Sequence, residues 1–202
     1  MNVIKSSSPV GAVVLAAGGS SRMGELKQLL PVDGRPMVRC AVEAACDAGL
    51  AQVVVVVGAG APAVITALEG LDVDLVRNDE WAKGMSTSLR VGLAALDPTV
   101  NAAFVVLADQ PGLSAELLRV LVTAYRASGA RIVVPYYRGQ RGNPVLFDRQ
   151  LFAELARVEG DRGGRAVVDH HADEVEVVDV DDIAVVRDVD TRQDYTDVIE
   201  GA

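Results

Sequence analysis

Five valines in succession, Val53–Val57, constrain this chain more than any other feature. A β-branched run with no polar residue at alternate positions suits a strand covered on both faces. Such strands belong to parallel sheets flanked by helices. Val10–Ala16 and Ala102–Leu107 read the same way. Val73–Val76, Arg131–Pro135 and Val145–Phe147 read as shorter strands. Between them, helical spacing recurs in Pro36–Gly49, Pro62–Glu69, Ser86–Leu96 and Ser114–Ser128. Ser114 is placed to cap the last of these, with Glu116 in its first turn. Beyond Tyr136, Leu151–Val158 and Gly164–His171 read as helices, Glu174–Val178 and Val185–Val189 as short strands, and Thr191–Ile199 as a final helix. The alternation predicts a doubly wound, mainly parallel sheet in a three-layer α/β/α, Rossmann-like fold.

The chain has 202 residues, half of them hydrophobic and only 4% aromatic, which suits one domain with a full core. Met1–Pro9 reads as a loose leader and residues 10–202 as the domain. Cys40 and Cys46 lie six apart on an expected helix, do not converge, and read as buried thiols. No apolar run approaches the ~18 residues a membrane span needs, and the leader lacks the apolar core of a signal peptide. A cytoplasmic protein is expected, with no membrane partner. The net charge of −9 arises wholly from residues 171–202, which carry 11 acidic and 2 basic side chains. With no basic stripe, a nucleic-acid partner is not expected. Asp173, Glu174, Glu176, Asp179, Asp181 and Asp182 alternate with valines, as in a strand with one wet face. His170 and His171 are adjacent, so their side chains are expected to diverge rather than share a metal.

The first strand runs into Leu15-Ala16-Ala17-Gly18-Gly19-Ser20-Ser21-Arg22-Met23-Gly24-Glu25-Leu26-Lys27-Gln28-Leu29-Leu30-Pro31. Ligands of open α/β sheets bind beyond the carboxyl ends of the strands. Small residues there let backbone N–H groups approach a phosphate, and Arg22 and Lys27 supply positive charge. No Gly-Lys-Ser/Thr follows, so this is not a P-loop. Asp109 follows the strand Ala102–Leu107, where a carboxylate can hold Mg²⁺. Gly84–Arg90 opens a helix whose N-terminus favours an anion, with Ser86 and Ser88 in reach of a nucleotide. Trp81, just before it, reads as a packing or lid residue.

These fragments together resemble the MobA-like nucleotidyltransferases, the group that includes the molybdenum cofactor guanylyl- and cytidylyltransferases. The resemblance rests on Leu15–Pro31, Gly84–Arg90, Ala108–Pro111, Arg141–Pro144, Gly160–Gly163 and Asp188–Thr191. It implies transfer of CMP from CTP to the terminal phosphate of molybdopterin cofactor, with pyrophosphate released. Residues 10–110 would form the nucleotide-binding half and 111–202 the acceptor-binding half. By resemblance, Arg22, Lys27 and Asp109 are catalytic, and Leu15, Ala16, Ala17, Gly18, Gly19, Ser20, Ser86, Ser88 and Asn143 line the ligands. Asp109 and Asp190 would hold Mg²⁺, with Asp188 a weaker substitute for Asp190. A molybdenum hydroxylase or its chaperone would be the downstream partner. Asn143 stands where cytidylyltransferases of this group carry histidine, and Asn cannot take a proton at neutral pH. The methyl of Ala17, where guanylyltransferases have glycine, is expected to narrow the base site and favour CTP. Gly58-Ala59-Gly60-Ala61-Pro62-Ala63 also matches a dinucleotide-binding turn. Some relatives of this group are nicotine blue oxidoreductases using nicotinamide nucleotides. An NAD(P)H-dependent oxidoreductase on the same fold is therefore an alternative, as is a nucleotidyltransferase for another phosphorylated acceptor.

Overall fold

A computed structural model describes residues 8–20, 24–161 and 163–200. The leader Met1–Pro9 falls almost wholly outside the described residues, as do Arg22 and Arg162. The chain runs β1 (Val10–Ala16), a hairpin of β2 (Pro31–Val32) and β3 (Arg35–Pro36), α1 (Met37–Asp47), β4 (Gln52–Val57), α2 (Ala61–Ala67) and β5 (Asp74–Arg77). It continues through α3 (Met85–Ala94), β6 (Ala102–Leu107), α4 (Ala115–Ser128), β7 (Ile132–Tyr137), β8 (Gln140–Arg141) and β9 (Val145–Asp148). The short helices α5 (Phe152–Leu155) and α6 (Arg165–His170), strand β10 (Val175–Asp179) and helix α7 (Arg192–Glu200) complete it.

Eight of the strands form one sheet in the order β10-β7-β9-β6-β1-β4-β5, with β8 paired to β7, while β2 and β3 pair only with each other. β1 pairs in parallel with both β4 and β6, while β9 runs antiparallel to β6 and β7. This is the doubly wound, mainly parallel sheet expected from the valine runs. Each central strand is buried on both faces, which is why those runs carry no polar alternation. One face (Val10, Ala12, Val14; Val53, Val55, Val57) packs under α1, α2 and α4. The other (Val13, Leu15; Val54, Val56) packs under α3, α5 and α6. Gly92 of α3 is needed for that contact, because a Cβ there would lie 2.2 Å from a methyl of Val13. Ser114 caps α4 as expected, its side chain accepting from Leu117 N at 3.1 Å.

From β1 the chain winds to one side through β4 and β5, then returns to the other side at β6. The β1/β6 boundary is therefore the topological switch point, where loops leave in opposite directions and open a crevice. A third small cluster, Val32, Met37, Val189 and Val198, docks α7 against the β2–β3 hairpin. Tyr195 adds a hydrogen bond from its hydroxyl to Pro31 O at 2.6 Å.

Three expectations are corrected. Val185–Val189 is not a strand: Ile183–Val186 forms a 3₁₀ turn, with Asp182 accepting from Ala184 N at 2.9 Å. Val185 and Val189 are separate buried anchors. Cys40 and Cys46 are free but only half-buried, each with its thiol pKa raised, first by burial. The rings of His170 and His171 do not diverge; they stack with centroids 4.9 Å apart. α6 ends between them, and His171 leaves helical geometry at φ −106°, ψ 36°. Among the described residues, no helix is long and apolar enough to cross a membrane.

Candidate active site

A cavity of about 590 Å³ lies at the switch point, beyond the carboxyl ends of β1 and β6. Leu15, Ala16, Ala17, Gly18, Gly19 and Ser20 form one wall, and Leu107, Ala108 and Asp109 the adjoining one. The loop after β1 is pinned by Gln28, which is only 3% exposed. Its Nε2 donates to Gly18 O at 3.0 Å and to Ala16 O at 3.4 Å, and its Oε1 accepts from Ser20 Oγ at 3.2 Å. Ser20 Oγ in turn accepts from Lys27 N at 3.0 Å. These bonds aim Lys27 across the cavity mouth.

The Lys27 ammonium sits 2.5 Å from Asp109 Oδ2 and 2.8 Å from Asp190 Oδ1. Burial alone would pull its pKa down, but the charges and hydrogen bonds of Asp109 and Asp190 outweigh that and raise it. Asp190 is delivered by the segment before α7, whose Val189 is fully buried and donates its N–H to Asp109 O at 3.2 Å. Asp188, on the other side of that valine, also faces the cavity. It accepts from Gln110 Nε2 at 2.5 Å, and its pKa is raised, first by burial and then by the charge of Asp109. Two carboxylates thus meet the ammonium, and a third faces the same cavity.

Asp109 Oδ1 is buried and has no hydrogen-bond partner. An orphaned carboxylate oxygen beside two further carboxylates offers the hard oxygen donors that Mg²⁺ or Mn²⁺ takes. The residues present therefore fit a divalent cation at Asp109, with Asp190 and Asp188 adjacent.

The opposite wall is built by Trp81, Lys83, Gly84, Met85, Ser88 and Asp161. Trp81 packs over Gly19 and Gly58, where a Cβ would clash with it at 2.8 Å in each case. Asn78, 2% exposed, donates to Thr87 Oγ1 at 2.8 Å and Ser88 Oγ at 2.9 Å, holding this wall to α3. The first turn of α3 is already engaged: Met85 N donates to Asp161 Oδ1 and Ser86 N to Gly160 O, both at 3.0 Å.

The structure thus brings together Leu15–Ser20, Lys27, Ser88, Asp109 and Asp190. It leaves Ser86 and Asn143 outside the cavity wall. Asn143 lies between β8 and β9, its N–H donating to Val185 O at 2.7 Å. The Ala17 methyl, expected to narrow a base site, packs toward Gly58, and Ala17, 3% exposed, also lines the cavity. Gly60, in the dinucleotide-like turn, is closed over by Leu26, whose Cδ1 would lie 2.1 Å from a Cβ there. Among the described residues, Ala17, Leu26 and Trp81 pack against that turn and fill the space a cradle would need. Sequence reasoning missed Gln28 and Asn78, since a single buried amide leaves no periodic signal.

Residues 12–194 match the MobA-like NTP transferase domain. The chain belongs to this family. Over 191 residues it is 36% identical to a nicotine blue oxidoreductase of Paenarthrobacter nicotinovorans, covering 90% of this chain and 92% of that protein. Over 192 residues it is 23% identical to the molybdenum cofactor cytidylyltransferase of Escherichia coli K12, covering 93% and 94%. Among solved structures it is similar to Rv0371c from Mycobacterium tuberculosis, with TM-score 0.86 and 33% identity over 96% of this chain and all of that one. A manganese complex of Rv0371c matches at TM-score 0.83. The MobA-like chain is thus a member of a nucleotidyltransferase family, on the Rossmann-like fold its strands predicted.

Proposed function

We propose that this protein transfers CMP from CTP to the terminal phosphate of molybdopterin cofactor and releases pyrophosphate. The observation that carries the reading is the switch-point cavity in which Lys27, Asp109 and Asp190 meet beside the Leu15–Ser20 loop. An oxygen of the acceptor phosphate attacks the α-phosphorus, and the bond from that phosphorus to the oxygen bridging to the β-phosphorus breaks. The nucleophile is already an anion, so no side-chain base is required. What the reaction needs is positioning and charge neutralisation. The Gly18–Ser20 backbone gives phosphate oxygens close approach, and Lys27 supplies a fixed cation within reach of them. Asp109, with Asp190, would hold Mg²⁺, which neutralises phosphate charge when bound. The manganese complex of Rv0371c and the orphaned Asp109 Oδ1 both support a divalent ion. The preference for CTP rests on the resemblance to cytidylyltransferases. Arg22, which follows Ser20 by two positions in the sequence, keeps its proposed role of binding the triphosphate, and a molybdenum hydroxylase or its chaperone remains the proposed recipient.

Pyrophosphate release by purified protein supplied with molybdopterin cofactor and CTP, GTP or ATP in turn tests the proposal. Release with CTP above the others is expected; release with none of them overturns it. The 36% identity to a nicotine blue oxidoreductase favours a second reading, reduction of a small aromatic substrate by a nicotinamide nucleotide. Saturable NADPH binding, indifferent to CTP and divalent ions, would select that reading.

A further inference from the structure

The C-terminal end of α6 carries a group of chemistry-bearing side chains that the proposed reaction does not use. We propose that Glu154, His170 and His171 form a second metal site, for a borderline divalent transition-metal ion such as Zn²⁺. A carboxylate oxygen of Glu154, one ring nitrogen of His170 and one of His171 all lie within 4.8 Å of one another. His171 Nε2 is 2.7 Å from Glu154 Oε2, and His170 Nδ1 is 3.9 Å from Glu154 Oε1. Ligands around a tetrahedral zinc stand about 3.4 Å apart, given metal–ligand bonds of about 2.0–2.2 Å. The observed separations bracket that value. The His170 side chain is 74% exposed, with only its stacking on His171 and its contact with Glu154 to place it, whereas that of His171 is 14% exposed and held.

What holds His171 is the second observation. Its Nδ1 lies 2.9 Å from Glu174 Oε1, and both oxygens of Glu174 are gripped by Arg131 through Nε and Nη2. A carboxylate on the far nitrogen of a ligating histidine fixes the ring and raises its basicity. Here that carboxylate is itself anchored, so Nε2 is the nitrogen left to face a metal. Two imidazoles and one carboxylate suit Zn²⁺, Co²⁺ or Ni²⁺, whereas Mg²⁺ prefers an all-oxygen set. The site is therefore chemically distinct from the carboxylates around Lys27. It joins α5 to the end of α6. The segment between these helices carries Gly160 and Asp161, which hold the N-terminus of α3 at the cavity wall. An ion here would tie α5 to the C-terminal end of α6.

The test is calorimetric titration of the full-length, tag-free chain with Zn²⁺ in excess Mg²⁺, which occupies any all-oxygen site. One Zn²⁺ per chain is expected. At 100 times Kd it should raise Tm by roughly 5–10 °C, following mass action and the size scaling of unfolding entropy. Co²⁺ in place of Zn²⁺ should give visible d–d bands of a low-coordinate ion. Glu154→Gln and His171→Ala should abolish binding, and Glu174→Gln should weaken it about 10–100-fold. Because His171 and Glu174 also bond the fold together, exposed His170 decides the matter. His170→Gln should weaken Zn²⁺ at least about tenfold, with Tm in the absence of metal unchanged. Equal binding by wild type and His170→Gln, absence of binding by wild type, or binding lost only with Cys40→Ser or Cys46→Ser, would each overturn the proposal.

Discussion

Replacing Asp109 by Asn separates a catalytic from a structural role. The change keeps shape but removes the charge that meets Lys27 at 2.5 Å, in a pair whose side chains are 19% and 18% exposed. A unit-charge pair at about 4 Å is worth about 1 kcal/mol in water and about 4 kcal/mol at an effective dielectric of 20. Lys27 keeps Asp190 at 2.8 Å, so only part of that is lost. The expected cost is about 1–2 kcal/mol, or a fall in Tm of roughly 2–8 °C for a domain of this size. Activity should fall much further. Loss of one preorganised charge stabiliser lowers turnover about 10²–10³-fold, equivalent to about 2.7–4 kcal/mol. Pyrophosphate release and circular-dichroism melting on one preparation give both numbers. Binding of Mn²⁺, followed by water-proton relaxation, adds a reading that needs no acceptor; affinity should drop at least about tenfold. A variant melting inside the stated window with turnover within tenfold of wild type would remove Asp109 from the mechanism. A collapse in Tm well beyond the window would make its role structural.

Two further substitutions probe the frame of the site. Gln28→Leu removes an amide bonded to Ala16, Gly18 and Ser20 and takes the donor from the buried Ala16 carbonyl and the part-buried Gly18 carbonyl; it should cost about 1–3 kcal/mol by melting and, by loosening Lys27, lower turnover about 10–100-fold. Unchanged activity would mean that the loop holds its shape unaided. Tyr125, fully buried, donates its hydroxyl to Asp148 Oδ2 at 2.7 Å, and burial followed by this carboxylate holds its pKa far above the usual phenol value. Above about pH 10 the unfolded tyrosine releases its proton while the native one keeps it, so native stability falls with rising pH by up to about 1.4 kcal/mol per unit. Tyr125→Phe should lose about 1–3 kcal/mol at pH 7 and show a shallower alkaline decline in Tm; parallel declines in the two proteins would refute the assignment.

The parts of the fold legible in the sequence are those governed by local pattern. β1 and β6 coincide with their apolar runs, and β4 exceeds its run only by Gln52 at its start, because burial on both faces removes polar positions from the strand interiors. Asp109 was legible because it follows such a strand. What eluded reading depends on chain end-points or on distant partners. The stacking of His170 on His171 follows from α6 stopping one residue earlier than its spacing implied. Asp188 was weighted below Asp190 on sequence, yet both face the cavity because the buried Val189 turns its two neighbours the same way. Gln28 and Asn78 act only once loops from different strands have met.

Among the described residues of the cavity wall, four carboxylates (Asp109, Asp161, Asp188, Asp190) face two ammonium groups (Lys27, Lys83). A triphosphate entering alone would meet a wall of its own sign. Lys27 cannot offset this by itself, since it is already held by Asp109 and Asp190. The imbalance vanishes if a divalent cation accompanies the nucleotide, its charge shared between phosphate oxygens and the orphaned Asp109 Oδ1. Under the proposed function, then, nucleotide and cation bind as one unit. Each must raise the affinity of the other by the same factor, because coupling between two ligands is reciprocal. Under that function the carboxylates of this wall favour the nucleotide's metal complex over the bare polyanion, with Arg22 left to add positive charge for the triphosphate.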